Sequence, residues 1–407
     1  CLYETGRRAE AEKYLKIAAN GKIPESYRYL AGICFEQYRF VDAVNYFSRY
    51  IGYLNDRKES REDMDDYELL ATQAELGAQM LSKVQVVQVI DSMVVDKDDF
   101  FLHYKLSSEV GSLHDYHSLT SDDRPGASPV FQTQRRDKIL YAVPTEDAGY
   151  ELVTRIRLGD DTYSEEESID DLNTMYDDSY PFLLTDGVTF YFASNEEDRT
   201  LGGYDIFVTK YNINTDEYSD PEQLPMPFNS PYNDYMMAVD EFTGIGWFAS
   251  DRNRVPGMVT IYTYIPAEMR VNVDPEDPDL AAKALLSPLS AARGKADDVT
   301  AARRRLAALA AQGTALSAPD FTVYVPGRGV LTSYSQLPGG MAKQAARNYV
   351  EALQGRDDTA RRLCAARNRY AGGDSSLAGE IQALERNLEE TDTELRRLRN
   401  QLVEAAD

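Results

Sequence analysis

The chain of 407 residues is 43% hydrophobic and carries a net charge of −25. That length holds two or three domains, each with its own core. An acidic surface repels phosphate backbones and anionic headgroups, so nucleic acid and electrostatic docking on lipid are disfavoured.

The charge is uneven. Residues 271–407 hold 18 basic and 19 acidic side chains, which leaves a net of −24 on the first 270. No run approaches 18 apolar residues, so no transmembrane helix is expected. The 28 Tyr beside 14 Phe and one Trp suggest wide, half-exposed sheets rather than a large dry core. Cys1, Cys34 and Cys364 are an odd, scattered set that supports no disulfide framework. Cys34 reads as a small buried apolar residue of a helix.

Residues 1–83 predict helical hairpins. Pro24 starts one helix, with the small Ala31 where helices must approach, and its partner places Ala43, Phe47 and Tyr50 on one face. Ala11, Leu15 and Ala18 repeat that spacing 32 residues earlier. Small-then-large spacing of this kind lets paired helices nest, as in tetratricopeptide repeats. The pattern departs from that repeat at Tyr50, where a small residue is usual, and at Asn55, where Pro is common. The opening CLYETGRRAEAEKYL reads as one repeat helix running into the next, so the natural N-terminus, with any signal or lipid anchor, is expected upstream. An acidic-headed helix over 63–83 is expected to cap the array.

Residues 84–118 change character. VQVVQVIDSMVV is β-branched and continuous, which predicts a buried strand that helps the following domain close on itself, or part of a degenerate fourth repeat. All three histidines lie here, at His103, His114 and His117. They lack a firm second pair of ligands, so solvated loop histidines are expected rather than a metal site.

Residues 119–266 contain the same short paragraph more than once. VTFYFASNEEDRTLGGYDIFVTKY (188–211) and GIGWFASDRNRVPGMVTIYTY (244–264) are each an aromatic-rich strand, a polar turn and an alternating strand. A fainter copy spans 138–156, and aligning Ala142, Ala193 and Ala249 gives offsets of 51 and 56 residues. The linkers match too: Tyr163 on Tyr218, Asn173 on Asn229, Tyr176 on Tyr232, Asp178 on Asp234. A period near 50 with about four strands per unit predicts propeller blades, and a single antiparallel sandwich is the alternative. Acidic pairs are dense (Asp122-Asp123, Asp160-Asp161, Glu165 to Glu167, Asp170-Asp171, Asp177-Asp178), but none has EF-hand spacing or a neighbouring nucleophile. Asp178 and Asp234 are expected to bond turn backbone.

After Pro266 the chain turns rich in Ala and Arg. Residues 269–340 predict a linker with a short helix over 296–313 and a hairpin around Pro326-Gly327 that returns to the sheets. Residues 341–407 predict an antiparallel coiled-coil hairpin. Ile381, Leu384, Leu388, Thr391, Leu395, Leu398 and Leu402 form one seam. The facing seam of Ala346, Tyr349, Leu353, Ala360, Leu363 and Tyr370 is broken by Arg356 and Arg367. Gly372-Gly373 ends the first helix and Ser375 or Ser376 caps the second.

The runs GGYDIFVTKY, NSPYNDY and GIGWFASDR resemble the TolB-type propeller repeats of Bacteroidota envelope proteins, where a propeller often follows tetratricopeptide repeats. Over about residues 1–270 the chain is similar to the PorE-like family of the Por (type IX) secretion system. The resemblance implies helical repeats (1–83), a few-bladed propeller-like domain (84–268), and a place in the periplasm or outer membrane, including as a lipoprotein anchored upstream. It also implies protein partners, such as outer-membrane barrel or lipoprotein components. That family ends in an OmpA-like, peptidoglycan-binding domain, whereas here a coiled coil stands in its place, so peptidoglycan contact is not carried over. No phosphate loop, catalytic grouping or metal cluster is legible, so no catalytic, cofactor-binding or metal residue is assigned. The expected function is a non-enzymatic scaffold. A glycan- or peptide-binding receptor and a propeller hydrolase or lyase remain the alternatives.

Overall fold

The structure is a computed structural model. It describes the chain except Cys1, Gly6, residues 58–60, 120–128, 146–148, 160–161, Pro288, 293–295, 314–320, Thr322, 326–327, 372–376 and Asp407. The fold is mixed α and β: N-terminal helices, several antiparallel sheets and C-terminal helices. Two compact units emerge, residues 1–114 with 126–312, and residues 115–125 with 313–407.

The first unit opens on α1 (Arg8–Asn20), α2 (Glu25–Glu36), α3 (Phe40–Arg57) and α4 (Arg61–Leu81). Pro24 stands at the head of α2, where its fixed φ suits a first turn and its missing N–H is not needed. Ala31, Ala43 and Ala74 are fully buried with Phe47 and Cys34 between α2, α3 and α4, so small residues set the close approach and one ring fills it. Gly77 is needed for the same reason: a Cβ there would lie 2.6 Å from the Phe40 ring. Burial pushes the Cys34 thiol up to about 11, which leaves it inert.

Next come β1 (Gln88–Asp96), β2 (Gly111–His114), and, beyond the short α5 (Tyr116–Leu119) of the second unit, β3 (Val130–Thr133), β4 (Lys138–Pro144), β5 (Tyr150–Ile156) and β6 (Glu167–Ser168). They are followed by β7 (Asp178–Leu183), β8 (Thr189–Ser194), β9 (Asp205–Asn212), β10 (Glu217–Tyr218) and β11 (Glu222–Gln223). β12 (Asp234–Asp240), β13 (Ile245–Ser250) and β14 (Met258–Ile265) complete the series. Three sheets result, ordered β2-β3-β4-β5-β6, β10-β9-β8-β7 with β11 also on β9, and β1-β14-β13-β12. No strand pairs across sheets, so no closed barrel forms among the described residues. β4 and β5 pack on β7, and β8 and β9 pack on β12.

Residues 84–118 make no fourth sheet. β1 pairs with β14, from Gln88 opposite Ile265 to Asp96 opposite Met258, and β2 joins the first sheet beside β3. As an edge strand β1 is only half covered, and Met93 and Val94 are exposed where full burial was expected. The core between the sheets is aromatic: Phe131, Phe182, Phe190, Phe207 and Trp247 are buried. Tyrosine enters it as well, against the expectation of half-exposed rings. Tyr141 and Tyr235 are fully buried, and Tyr104 donates its hydroxyl to the Met236 carbonyl at 2.8 Å, which satisfies the polar tip.

The chain then forms α6 (Leu280–Leu285) and α7 (Ala296–Gly313). α7 is not a linker helix, because Val299 and Ala302 are buried in the core shared by the sheets and Arg303 donates to the Ile90 carbonyl at 2.9 Å. The helices α1–α4, expected as a body of their own, also belong to this unit. Tyr38, Phe40, Met80 and Val84 share one cluster with Leu201, Met226, Val273 and Ala284.

The second unit contains α5, β15 (Val323–Val325), β16 (Gly329–Leu331), α8 (Gly340–Ala371) and α9 (Ala378–Ala406). Ala342 and Ala346 at the start of α8 meet Leu402 and Ala406 at the end of α9, while Leu363 and Ala366 meet Leu384, so the two helices run antiparallel. The β15–β16 hairpin packs on this pair, where Val323 and Val325 are fully buried, instead of returning to the sheets. Arg356 does not leave a gap in the seam, because its Nε lies 3.1 Å from the Asp392 carboxylate. Asp122-Asp123, Asp160-Asp161, Pro326-Gly327, Gly372-Gly373, Ser375 and Ser376 lie outside the described residues. The side chains of Ala360, Arg367 and Tyr370 do as well.

Candidate functional site

The polar residues that sequence reasoning singled out in the repeats are brought together as a hydrogen-bond framework, written twice. Asn173 accepts from the Leu152 amide at 2.7 Å and donates to the Leu152 carbonyl at 3.0 Å. Asn229 does the same for Ile206, at 2.8 and 3.0 Å. Asp177 exchanges bonds with Asn195, accepting from its amide group at 2.9 Å and donating its own N–H at 2.7 Å; in the later repeat acid and amide are swapped, and Asn233 donates its amide group to the Asp251 carboxylate at 2.7 Å and its own N–H at 2.9 Å. Each of these side chains also accepts from the preceding repeat, Asp177 from Tyr150 N and Asn233 from Tyr204 N. Gly149 and Gly203 precede those amides at positive φ, and a Cβ on either would collide with the accepting oxygen. The first strands carry the same bulge, with Tyr180 at φ 56° and Met236 at φ 54°, 56 residues apart.

Asp178 and Asp234 head those strands and are fully buried. Asp178 accepts from the Thr174 backbone at 2.6 Å and its hydroxyl at 2.9 Å, as a turn-bonding carboxylate should. Asp234 departs from that expectation by bonding side chains, Ser230 Oγ at 2.6 Å and Arg252 Nη2 at 2.6 Å. Arg252 is equally buried and donates further to the carbonyls of Pro227 and Phe228 and to Ser250 Oγ. Burial raises both carboxyls, opposed at Asp234 by the adjacent guanidinium. Nearby, Asp205 Oδ2 accepts from Leu201 N at 2.9 Å and Gln223 Nε2 at 2.5 Å. Its other oxygen has no partner among the described residues. Burial first, and the charge of Asp234 second, hold Asp205 well above the ordinary carboxylate range. Sequence reasoning missed Arg252 and Asp205, although an Arg two residues after Phe-Ala-Ser and an Asp closing Gly-Gly-Tyr-Asp were visible signals.

His114 lies on a strand and not in a loop, with its Nε2 2.7 Å from Ser112 Oγ, and burial lowers its pKa. His103 ends a 3₁₀ turn and His117 sits in α5, whose ring is not described. Among the described residues no group of three or more His, Cys, Asp or Glu could hold a metal ion. Of the other acidic residues, Glu166 accepts from the Tyr141 hydroxyl and Asp171 from the Tyr218 amide. Glu167, Asp170, Asp171 and Asp216 line a shallow groove of about 400 Å³.

The first unit also contains a cleft of about 570 Å³ between α2, α3, α4 and the loops at Tyr232 and Arg254. Its walls include Tyr29, Phe35, Phe47, Tyr67 and Tyr232, with Arg28 and Glu36 among them. Glu36 is held by two cations, Arg254 at 2.8 Å and Arg8 at 3.2 Å. No helix of the described residues is long and apolar enough to cross a membrane. Compared with protein-family models, curated proteins and solved structures, the chain matches none of them.

Proposed function

We propose that this chain is a non-enzymatic scaffold that joins protein partners in the cell envelope of a Bacteroidota bacterium. The observation that carries the reading is how the polar residues are spent: Asn173, Asp178, Asn229, Asp234 and Arg252 bond backbone or each other inside the fold. Groups fixed in this way hold repeats together and are not free to turn over a substrate. The three sheets are read as blades of a TolB-type propeller-like domain, supported by the 56-residue recurrence of hydrogen bonds and bulge and by the edge strand β1 completing the last sheet. The helices α1–α4 are read as tetratricopeptide-like repeats, and α8–α9 as a coiled-coil hairpin. The similarity of GGYDIFVTKY and NSPYNDY to PorE-like proteins supports a periplasmic or outer-membrane place in a secretion complex, beside barrel or lipoprotein components.

Affinity purification of the full chain from native envelope membranes tests this reading. A stable barrel or lipoprotein partner is expected. Turnover of a glycan or peptide panel that disappears on changing one sheet carboxylate, with no partner retained, would overturn it.

A further inference from the structure

We propose that the aromatic cleft of the first unit binds a peptide segment that presents an aromatic side chain beside a carboxylate; this rests on the scaffold reading and names one partner site. Arg28 is the reason. Its Nη1 donates to the Tyr67 hydroxyl at 3.1 Å and its Nη2 to the Tyr29 hydroxyl at 3.0 Å, while its Nε has no acceptor among the described residues. Both partners are neutral phenols, so the guanidinium sits in the cleft wall uncompensated. Of the two carboxylates in the lining, Glu36 already serves Arg8 and Arg254, and Glu4 is exposed and makes no ion pair with Arg28 among the described residues. In a chain of net charge −25, a part-buried cation whose hydrogen-bond partners among the described residues are phenols is a specific feature, and an incoming carboxylate would supply the missing charge through short charge-assisted bonds.

The walls favour a peptide over a glycan. A sugar stacks on open ring faces, and here a guanidinium already covers one face of three tyrosines: Arg8 lies 3.9 Å over Tyr3, Arg28 lies 4.7 Å over Tyr29, and Arg254 lies 4.9 Å over Tyr232. Ring edges and the apolar sides of Phe35 and Leu70 remain, which suit an inserted aromatic side chain in T-shaped contact. The volume of about 570 Å³ accommodates two or three residues of such a segment.

The test titrates the full chain, followed by NMR, with N-acetyl-Gly-Phe carrying a free C-terminal carboxylate and with the same peptide as its C-terminal amide. The acid should saturate the cleft and the amide should bind at least tenfold more weakly. Arg28→Gln should erase that difference, and Arg28→Lys should retain part of it. Gly32→Val provides a second variant in case Arg28→Gln fails to fold, since its Cβ would stand 2.9 Å from Tyr3 Oη at the end of a flexible side chain and fill the cleft. Equal binding of acid and amide, unchanged binding by Arg28→Gln, or saturation of the cleft by a β-1,4-linked N-acetylglucosamine trimer in place of the peptide would each overturn the proposal. Peptide selectivity without any co-purifying envelope partner supports the cleft and overturns the scaffold reading; partner retention without peptide selectivity does the reverse.

Discussion

The sheet β7–β9 and the sheet β12–β14 are built on one plan, and the later one adds a buried cation. Both place a buried Asp at the head of the first strand, a bulge two residues on, and an Asn five residues before it that grips the preceding sheet. Thr174 donates to one oxygen of Asp178, whose other oxygen is buried without a partner among the described residues, and Ser230 at the equivalent position donates to Asp234. The position 56 residues before Arg252 is Glu196, whose charge adds to the cost of ionising Asp178 instead of offsetting it. In the later sheet Arg252 supplies the offset and bonds the carbonyls of Pro227 and Phe228. It also faces Tyr38 of the α2–α3 turn, which joins the helices to the sheets at that point. A shared hydrogen-bond plan therefore serves two situations: Asp178 closes a turn, and Asp234 anchors a buried cation.

The largest way to break this comparison is to neutralise the two carboxylates separately. Asp234→Asn leaves Arg252 buried without its counter-charge and should cost about 3–5 kcal/mol. Asp178→Asn loses only turn bonds and should cost about 1–2 kcal/mol. Chemical denaturation of both variants checks the gap.

The gripping asparagines come next. Asn229 makes three bonds in full burial, including one to the Leu224 carbonyl, whereas Asn173 is half-buried. Asn229→Ala should cost roughly 2–3 kcal/mol and Asn173→Ala roughly 1–2 kcal/mol, read from the same denaturation curves.

Asp205 gives a smaller, pH-dependent effect. Its folded pKa is raised well above 3.8, so the fold holds the proton more tightly than the unfolded chain does. Its contribution to stability is fully present below the unfolded value and is lost as pH rises through the folded one. Asp205→Asn, which cannot ionise, should therefore gain on the parent as pH is raised from about 4 to 8. Thermal melts across that range give the answer. The smallest effect belongs to the second unit, where the part-exposed pair Arg356–Asp392 should change stability by less than about 1 kcal/mol on Asp392→Asn.

Much of this architecture was legible in the chain because its signals are local. The Ala31 and Ala43 spacing marked nested helices, the Leu384 to Leu402 seam marked α9, and the matched linkers set Asn173 and Asn229 at equivalent positions, though their hydrogen bonds to the preceding strands were not legible. What failed depends on long-range choice. A continuous β-branched run marks VQVVQVIDSMVV as a strand, but does not say that it would pair with Met258–Ile265 far along the chain. Composition separated α7 from the sheets, yet Val299 and Ala302 fit their core. Tyrosine counts suggested half-exposed rings, because composition cannot show that Met236 would offer a carbonyl to Tyr104. The cleft around Arg28 was also invisible, since it draws on helices and on loops some two hundred residues apart.

The most direct test of the central claim, that one hydrogen-bond plan carries a buried ion pair in one sheet only, is a double-mutant cycle on Asp234→Asn and Arg252→Met. The account predicts that the two losses overlap, with a coupling of roughly 2–3 kcal/mol and a double variant no less stable than the worse single one. Additive losses would contradict it.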